Sequence, residues 1–313
     1  MDNIKRSPMF YVGDKYKLMK EIKQYFPQNI NTFIEPFVGG GTVFLNVDAN
    51  SYVLNDIDKN IYNLHLFLQT KASKIDFIDE LLKYIKQYNL SRSFLEDIVP
   101  KQLKQEYKKT YYAHYNKQGY DKLKQDFNKL KKKNYFLLYL LLIYGFNRMI
   151  RFNSSGEFNV PVGNVDFNKN VRQALSDYSQ FIKNKNIKFE NLDFKDFIIK
   201  NGFKEGDFMY LDPPYLITFS EYNKIWNEDK EYELLSFLDN LHKRNIKFAI
   251  SNVTHYKGRV NNIFLDWMKK YNVKKVQSNY ISYHDNSVKQ IEEVLVINRS
   301  EEHTSELQSR ITI

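Results

Sequence analysis

Residues 208–215 read Phe208-Met209-Tyr210-Leu211-Asp212-Pro213-Pro214-Tyr215. A short, mostly apolar run that stops at prolines is what a buried strand does on leaving its sheet. Pro213 fixes its own φ and Pro214 restricts the residue before it, so the turn is stiff. In open α/β sheets, the carboxyl ends of the strands are where ligands bind. Asp212 can accept from a proton-bearing amine, the Pro213 carbonyl stands outside the strand ladder, and the Tyr215 ring can stack on a flat base. That trio suits an exocyclic amine on an aromatic ring, held with its lone pair turned outward. The plainer alternative is a turn that merely ends a core strand, since prolines at turns are common.

Strand and helix alternate around this stretch. Before it, the pattern predicts a strand over 187–189 and a helix from Phe194; after it, a helix over 231–243, a strand over 248–251, a helix over 260–269 and strands over 273–276 and 293–297. Such alternation predicts an α/β fold with a doubly wound, mostly parallel sheet.

Further back, residues 31–46 predict a strand that runs through Glu35-Pro36-Phe37-Val38 into Gly39-Gly40-Gly41 and then a helix start. Glycines there permit positive φ and close approach of a ligand to the backbone. The spacing is neither the dinucleotide fingerprint nor a P-loop. A second short strand, Tyr52-Val53-Leu54, ends at Asn55-Asp56, and an acid at that place suits the two hydroxyls of a ribose. Asp56 could instead, or also, cap the helix that starts near Ile57. Nearer the amino end, Met9-Phe10-Tyr11-Val12-Gly13-Asp14-Lys15 predicts a glycine loop feeding a helix marked by Leu18, Ile22 and Phe26. Lys15, at its start, could face an anionic ligand.

Between the second strand and about Gln173 the pattern is helical, rich in Lys, Tyr and Leu, and reads as an insertion in the sheet. It ends in an apolar helix over 135–144 and a hairpin from Gly145 to Pro161 whose turn is Ser154-Ser155-Gly156. Arg148, Arg151 and Asn153 put donors on that hairpin, and Arg and Asn are the side chains that read guanine and adenine edges. A solvated hairpin with two arginines would look the same.

Composition agrees with a polyanionic partner that offers flat bases: the 313 residues carry a net charge of +10 with 24 Tyr and 24 Phe. There is no cysteine, so disulfides and thiolate metal sites are excluded. The longest apolar run, 135–146, is too short to span a bilayer, and the start lacks a secretory stretch. A soluble, cytoplasmic protein is expected, in a bacterium or a phage-infected host. Residues 299–313 follow neither structural period and resemble the conceptual translation of a sequencing-adapter oligonucleotide, so a non-native tail beyond about Asn298 is expected and is set aside from the fold.

With these parts in place, their order resembles the Dam-type DNA adenine-N6 methyltransferases (the D12 class, alpha group), most of all the T-even phage Dam enzymes. The resemblance rests on Glu35-Pro36-Phe37-Val38-Gly39-Gly40, on Gly156-Glu157-Phe158-Asn159-Val160-Pro161 and on Asp212-Pro213-Pro214-Tyr215-Leu216-Ile217-Thr218, and covers most of residues 8–298. It implies a Rossmann-like class I methyltransferase fold, with residues 1–60 and 174–298 binding S-adenosyl-L-methionine and residues 61–173 recognising double-stranded DNA. It implies catalysis by Asp212, Pro213 and Tyr215 on a flipped adenine, because the amine is otherwise paired in the duplex. Cofactor contacts would come from Tyr11, Lys15, Glu35, Phe37, Gly39, Gly41, Asp56, Asp196 and Asp212, and DNA contacts from Asn147, Arg148, Arg151, Asn153 and Pro161. No metal and no membrane are expected, and a monomer or weak dimer is. Two departures bear on the target. Phe10 stands where bacterial relatives have a lysine that reads the outer guanine, and Asn164-Val165 stands where the phage enzymes have an arginine. The expected target is therefore 5′-GATC with relaxed reading of its first base pair. The alternatives are methylation of cytosine N4, and a DNA-binding protein without catalysis on the same scaffold.

Overall fold

The computed structural model describes residues 4–218, 225–276 and 291–298. Its strands are β1 (Thr32–Glu35), β2 (Ser51–Asn55), β3 (Asn186–Glu190), β4 (Phe208–Leu211), β5 (Lys247–Tyr256), β6 (Arg259–Val260), β7 (Asn272–Val276) and β8 (Ile291–Ile297). Its α-helices are α1 (Met19–Ile22), α2 (Lys59–Lys71), α3 (Phe77–Gln87), α4 (Lys101–Glu106), α5 (Tyr111–Lys129), α6 (Tyr135–Tyr144), α7 (Lys169–Ile182), α8 (Phe194–Asn201), α9 (Glu228–Lys243) and α10 (Asn262–Met268). The chain divides into two compact units, Met1–Tyr16 with Gly39–Asn46 and Asp58–Asn191, and Lys17–Val38 with Val47–Ile57 and Leu192–Ile313.

The second unit carries the sheet in the order β2-β1-β4-β5-β8-β7, with β6 paired to β5. β1 pairs parallel with β2 and with β4, and β4 parallel with β5. All four residues of β4 are buried, as expected of a parallel strand covered on both faces. Ile34, Met209, Leu211, Phe248, Ile250, Val294 and Val296 turn to one face, where α8, α9 and α10 cover them with Phe197, Leu234, Leu238 and Phe264. The opposite face carries Phe33, Phe208 and Tyr210, and Phe26 packs 4.9 Å from the Phe208 ring and 5.5 Å from Tyr210. The fold is thus α/β with helices on a mixed, mostly parallel sheet. The mostly parallel sheet is as expected; the antiparallel strands are β8, between β5 and β7, and the short β6 on β5. Asn298 clasps the end of β8: its Oδ1 accepts from Phe248 N at 2.8 Å and its Nδ2 donates to Ile246 O at 2.8 Å. The expectation about residues 299–313 lies outside the described residues.

The first unit is built on α6, which is apolar all round and buries Leu137 through Tyr144. Asn134 caps it, accepting from Phe136 N and Leu137 N. Buried tyrosines need partners for their hydroxyls. Tyr139 donates to Pro8 O at 2.9 Å, Tyr144 to Ser91 O at 2.6 Å and Tyr120 to Leu141 O at 3.2 Å. Burial raises the pKa of all three, so they stay protonated donors. α5 admits a glycine in mid-helix for a steric reason: a methyl group on Gly119 would stand 1.9 Å from the Tyr88 carbonyl oxygen.

Four local expectations are corrected. The helix expected over residues 15–26 is a single turn, α1, prolonged by a 3₁₀ turn at Lys23–Tyr25, so Lys15 precedes it by several residues. The glycine run is followed by a 3₁₀ turn at Phe44–Asn46 and not by a longer helix. Asp58, not Asp56, is the N-cap of α2, accepting from Asn60 N at 2.7 Å. The hairpin at 145–161 is held by isolated bridges, Gly145 to Val162 and Phe152 to Phe158, without continuous strands.

Candidate active site

The chain leaves β1 to pair β2 on one side and returns as β4 on the other. That reversal makes the carboxyl ends of β1 and β4 the topological switch point, where such sheets bind ligands. Glu35 closes β1 and Asp212 follows β4 directly. Pro213 is buried and Asp212, Pro214 and Tyr215 are half-buried. The Tyr215 hydroxyl lies 2.8 Å from Asp212 Oδ1 and 3.1 Å from Glu293 Oε1. The turn is closed by Thr218, whose backbone N and hydroxyl both donate to Tyr215 O.

Phe37 stands in a triangle of rings, 5.7 Å from Phe194, 5.7 Å from Trp226 and edge-on to the latter at 82°. Trp226 is fixed in turn by donating its Nε1–H to Glu231 at 2.7 Å. Glu231 is buried and also accepts from Asn252 and Asn261. Burial raises its pKa and the three hydrogen bonds oppose that rise. Asn55, at the end of β2, donates to Pro36 O and Leu192 O and accepts from Leu192 N, all at 3.0 Å. One buried amide therefore staples the loop after β1 to the loop before α8. It leaves the next residue, Asp56, half-exposed at the strand's end. Asp196 is exposed in the first turn of α8, two residues beyond the buried Phe194.

In the other unit the glycine loop has the conformation its sequence predicts: Gly39 has φ +47° and Gly41 has φ +77°, in the left-handed region. A Cβ on Gly39 would meet open space, whereas one on Gly41 would stand 2.5 Å from Phe44 Cε1. Tyr11 packs under the loop, its Cβ 2.9 Å from where a Gly40 Cβ would be. Lys15 is buried. Sequence reasoning overlooked His65, whose Nε2 meets Gly39 O at 2.8 Å and whose ring stacks on Phe189 at 4.7 Å. A lone histidine in an amphipathic helix gives no signal of that role. Burial pushes its pKa down to about 4, against the Gly39 carbonyl, which raises it. The unfolded chain then takes up this proton more readily than the folded one. The stability His65 holds is present above its ordinary pKa and is lost as pH falls towards 4. Chemical denaturation should show a loss of about 2 kcal/mol between pH 7 and pH 5 from this residue. The slope should flatten in His65→Gln; an unchanged slope would mean that the ring is solvated.

The residues expected to face DNA differ in how the fold holds them. Arg148 and Arg6 place their guanidinium carbons 4.1 Å and 4.6 Å from the Phe10 ring centroid. Phe10, Asn147 and Arg148 all have φ near +50°, which costs free energy in non-glycine residues and clusters at functional sites. Burial first, then Arg6, lowers the Arg148 pKa to about 10, so it stays charged at neutral pH. Arg6 pairs with Asp14 at 3.5 Å, but no carboxylate pairs with Arg148 among the described residues. Arg151 is held by Asn159, through Oδ1 at 2.8 Å and O at 3.2 Å. Asn153, by contrast, closes its own turn on Glu157 with both ends of its amide. Asn147 and Pro161 are exposed. Asn164 caps α5, accepting from Tyr112 N and Ala113 N.

Among the described residues no cluster of His, Asp or Glu is placed to hold a metal, and no helix is long and apolar enough to cross a membrane. Comparison with known proteins places the chain among DNA methyltransferases. The chain is 33% identical over 304 residues to the modification methylase StsI of Streptococcus sanguinis, which covers 94% of this chain and 43% of that protein. It is likewise 33% identical over 302 residues to the type II methyltransferase M.FokI of Planomicrobium okeanokoites, again spanning 43% of its length. With the DNA adenine methylase of Escherichia coli K12 it shares 25% identity over 256 residues, 79% of this chain and 80% of that one. The chain thus spans less than half the length of the first two relatives. Residues 11–281 match the profile of the D12 class N6 adenine-specific DNA methyltransferases, and the chain belongs to that family.

Proposed function

We propose that this chain methylates the N6 amine of an adenine turned out of duplex DNA, using S-adenosyl-L-methionine. The observation that carries the reading is the stiff turn at the carboxyl end of β4, which presents Asp212 and Tyr215 beside the switch point of the sheet. Asp212 and the Pro213 carbonyl accept the two amine hydrogens, which leaves the N6 lone pair pointing away from both. Tyr215 replaces the stacking that the base loses on leaving the helix. Positioning then supplies most of the rate.

The residues present fit the methyl donor. Gly39 has no side chain to fill the open space beside its Cα, Phe37 is an aromatic ring held among Phe194 and Trp226, and the cap of α2 is Asp58 rather than Asp56. Tyr11, Lys15, Glu35, Phe37, Gly39, Gly41, Asp56, Asp196 and Asp212 would hold it. When bound, the donor supplies a methyl group on a sulfonium, a good leaving group that needs no metal.

For the target, Arg151 reads a guanine edge in a GATC-like core. Relaxed reading of the first base pair stays the proposal, since Phe10 cannot donate to a base; Arg148, whose guanidinium rests on the Phe10 ring, is the candidate substitute donor. Kinship with the T-even phage enzymes rests on the motifs alone, while the identity to StsI and M.FokI favours a role as the modification half of a restriction system. A monomer or weak dimer acting in the cytoplasm fits this reading.

The test is to express the chain in cells without adenine methylation and sequence their DNA by a method that reports modified bases. N6-methyladenine confined to one short motif is expected. N4-methylcytosine, or unmodified DNA from cells holding folded protein, overturns the reading.

A further inference from the structure

Glu293 is a buried carboxylate of the sheet beside the Asp-Pro-Pro-Tyr turn. It is the third residue of β8, pairs with Val253 and Val276, and is 1% exposed. The residues after it on the same face, Leu295 and Ile297, are apolar, as a covered strand requires. A carboxylate there carries a desolvation cost that leucine or valine would not. Beside it the ladder slips by one residue between Val253 and His255, leaving Thr254 as a bulge. Bulges re-aim side chains and recur next to active sites. The side chain so placed reaches the Tyr215 hydroxyl at 3.1 Å, and the same hydroxyl is 2.8 Å from Asp212 Oδ1. A phenol has one proton. Two carboxylates within reach of it can accept it in turn.

We propose that Glu293 is a positioning residue for methyl transfer, acting through Tyr215. It takes the Tyr215 hydroxyl when the substrate amine arrives, which frees Asp212 Oδ1 for that amine and locks the ring in the plane on which the base stacks. No covalent step and no net proton transfer is involved; one hydrogen bond changes acceptor. The inference rests on the proposed adenine methylation.

The test is a double-mutant cycle on the full chain, with duplexes carrying the motif found by sequencing. Glu293→Ala should lower kcat by about tenfold, the scale of one hydrogen bond to a charged group at 1.4 kcal/mol per decade. KM for S-adenosyl-L-methionine should change less than about twofold, since the Glu293 hydrogen bond goes to Tyr215, which is assigned to the base and not to the donor. Glu293→Gln keeps an acceptor at the same place and should restore most of the rate. In a Tyr215→Phe background, Glu293→Ala should have no further effect, because the hydroxyl it serves is gone. As a readout apart from activity, 2-aminopurine at the target position should be brighter with Glu293→Ala than with wild type, reporting a looser stack. If Glu293→Ala costs the same factor with and without the Tyr215 hydroxyl, or leaves kcat and fluorescence unchanged, the proposal is wrong. Should Glu293→Ala fail to fold, Glu293→Leu, which removes the acceptor but suits a covered strand, and Tyr215→Phe, alone and combined, decide by whether their effects merge or multiply. A wild-type chain that methylates nothing refutes the reading of the site instead, so the two failures are distinct.

Discussion

Asp212→Ala is expected to lower methyl transfer by about a thousandfold or more, while binding to duplex DNA at low salt stays within a few-fold of wild type. The asymmetry follows from charge. Affinity for a duplex comes mainly from phosphate contacts, which lysines and arginines make, and the chain carries 47 of these against 37 acids. Removing a carboxylate cannot weaken those contacts. What is lost is the acceptor for the amine hydrogen, and with it the partner that holds one edge of Tyr215 through its hydroxyl. Asp212→Asn keeps one carbonyl oxygen and should sit between the two. Incorporation of labelled methyl groups, read beside gel-shift titrations and circular dichroism, checks this. Equal loss of binding and turnover in a folded variant would show that the turn serves the fold alone.

The second large effect concerns the target sequence. Arg148→Ala and Arg151→Ala should each cut discrimination at a single, different base pair by about tenfold to a hundredfold, since one bidentate contact is worth roughly 1–3 kcal/mol against the wrong base. Their signatures should differ further. Arg151 is tied to its own hairpin by Asn159, so Asn159→Ala should mimic part of its loss. Arg148 rests on a ring, so Phe10→Ala should mimic part of its loss, whereas Phe10→Trp should preserve it. Initial rates on duplexes changed at one base pair at a time, at one stated salt concentration, separate these outcomes. A uniform fall across all duplexes would assign both arginines to phosphate.

What could be read from the sequence and what could not divide along a physical line. The strand Phe208–Leu211 was legible because a mostly apolar run stops just before two prolines, and both signals are local. Gly39 and Gly41 were legible for the same reason, since each needs a backbone that other residues avoid. Asp56 was open to two readings, because capping depends on where the helix begins, and a shift of two residues gave the cap to Asp58. Arg148 looked like half of a commonplace hairpin, and its platform, Phe10, lies 138 positions away in the numbering. Glu293 gave no signal of a role: it reads as the polar first residue of the strand over 293–297, and its partner Tyr215 is 78 residues distant. Local stereochemistry is written in neighbouring residues, whereas a buried carboxylate declares itself only once the sheet has closed around it.

The placement of β8 between β5 and β7 has a consequence for how the chain is made. The ribosome delivers β5 and β7 before β8, yet neither has its neighbour on that side until residues 291–297 emerge. During that interval the long β5 presents an unpaired edge to solvent, the kind of surface on which other strands add. Closing the sheet is therefore a late, non-local event in synthesis, slow by its contact order. Nascent chains halted before Ile291 would be clients for chaperones, and the speed of translation through the last strand would govern how much protein reaches its native form.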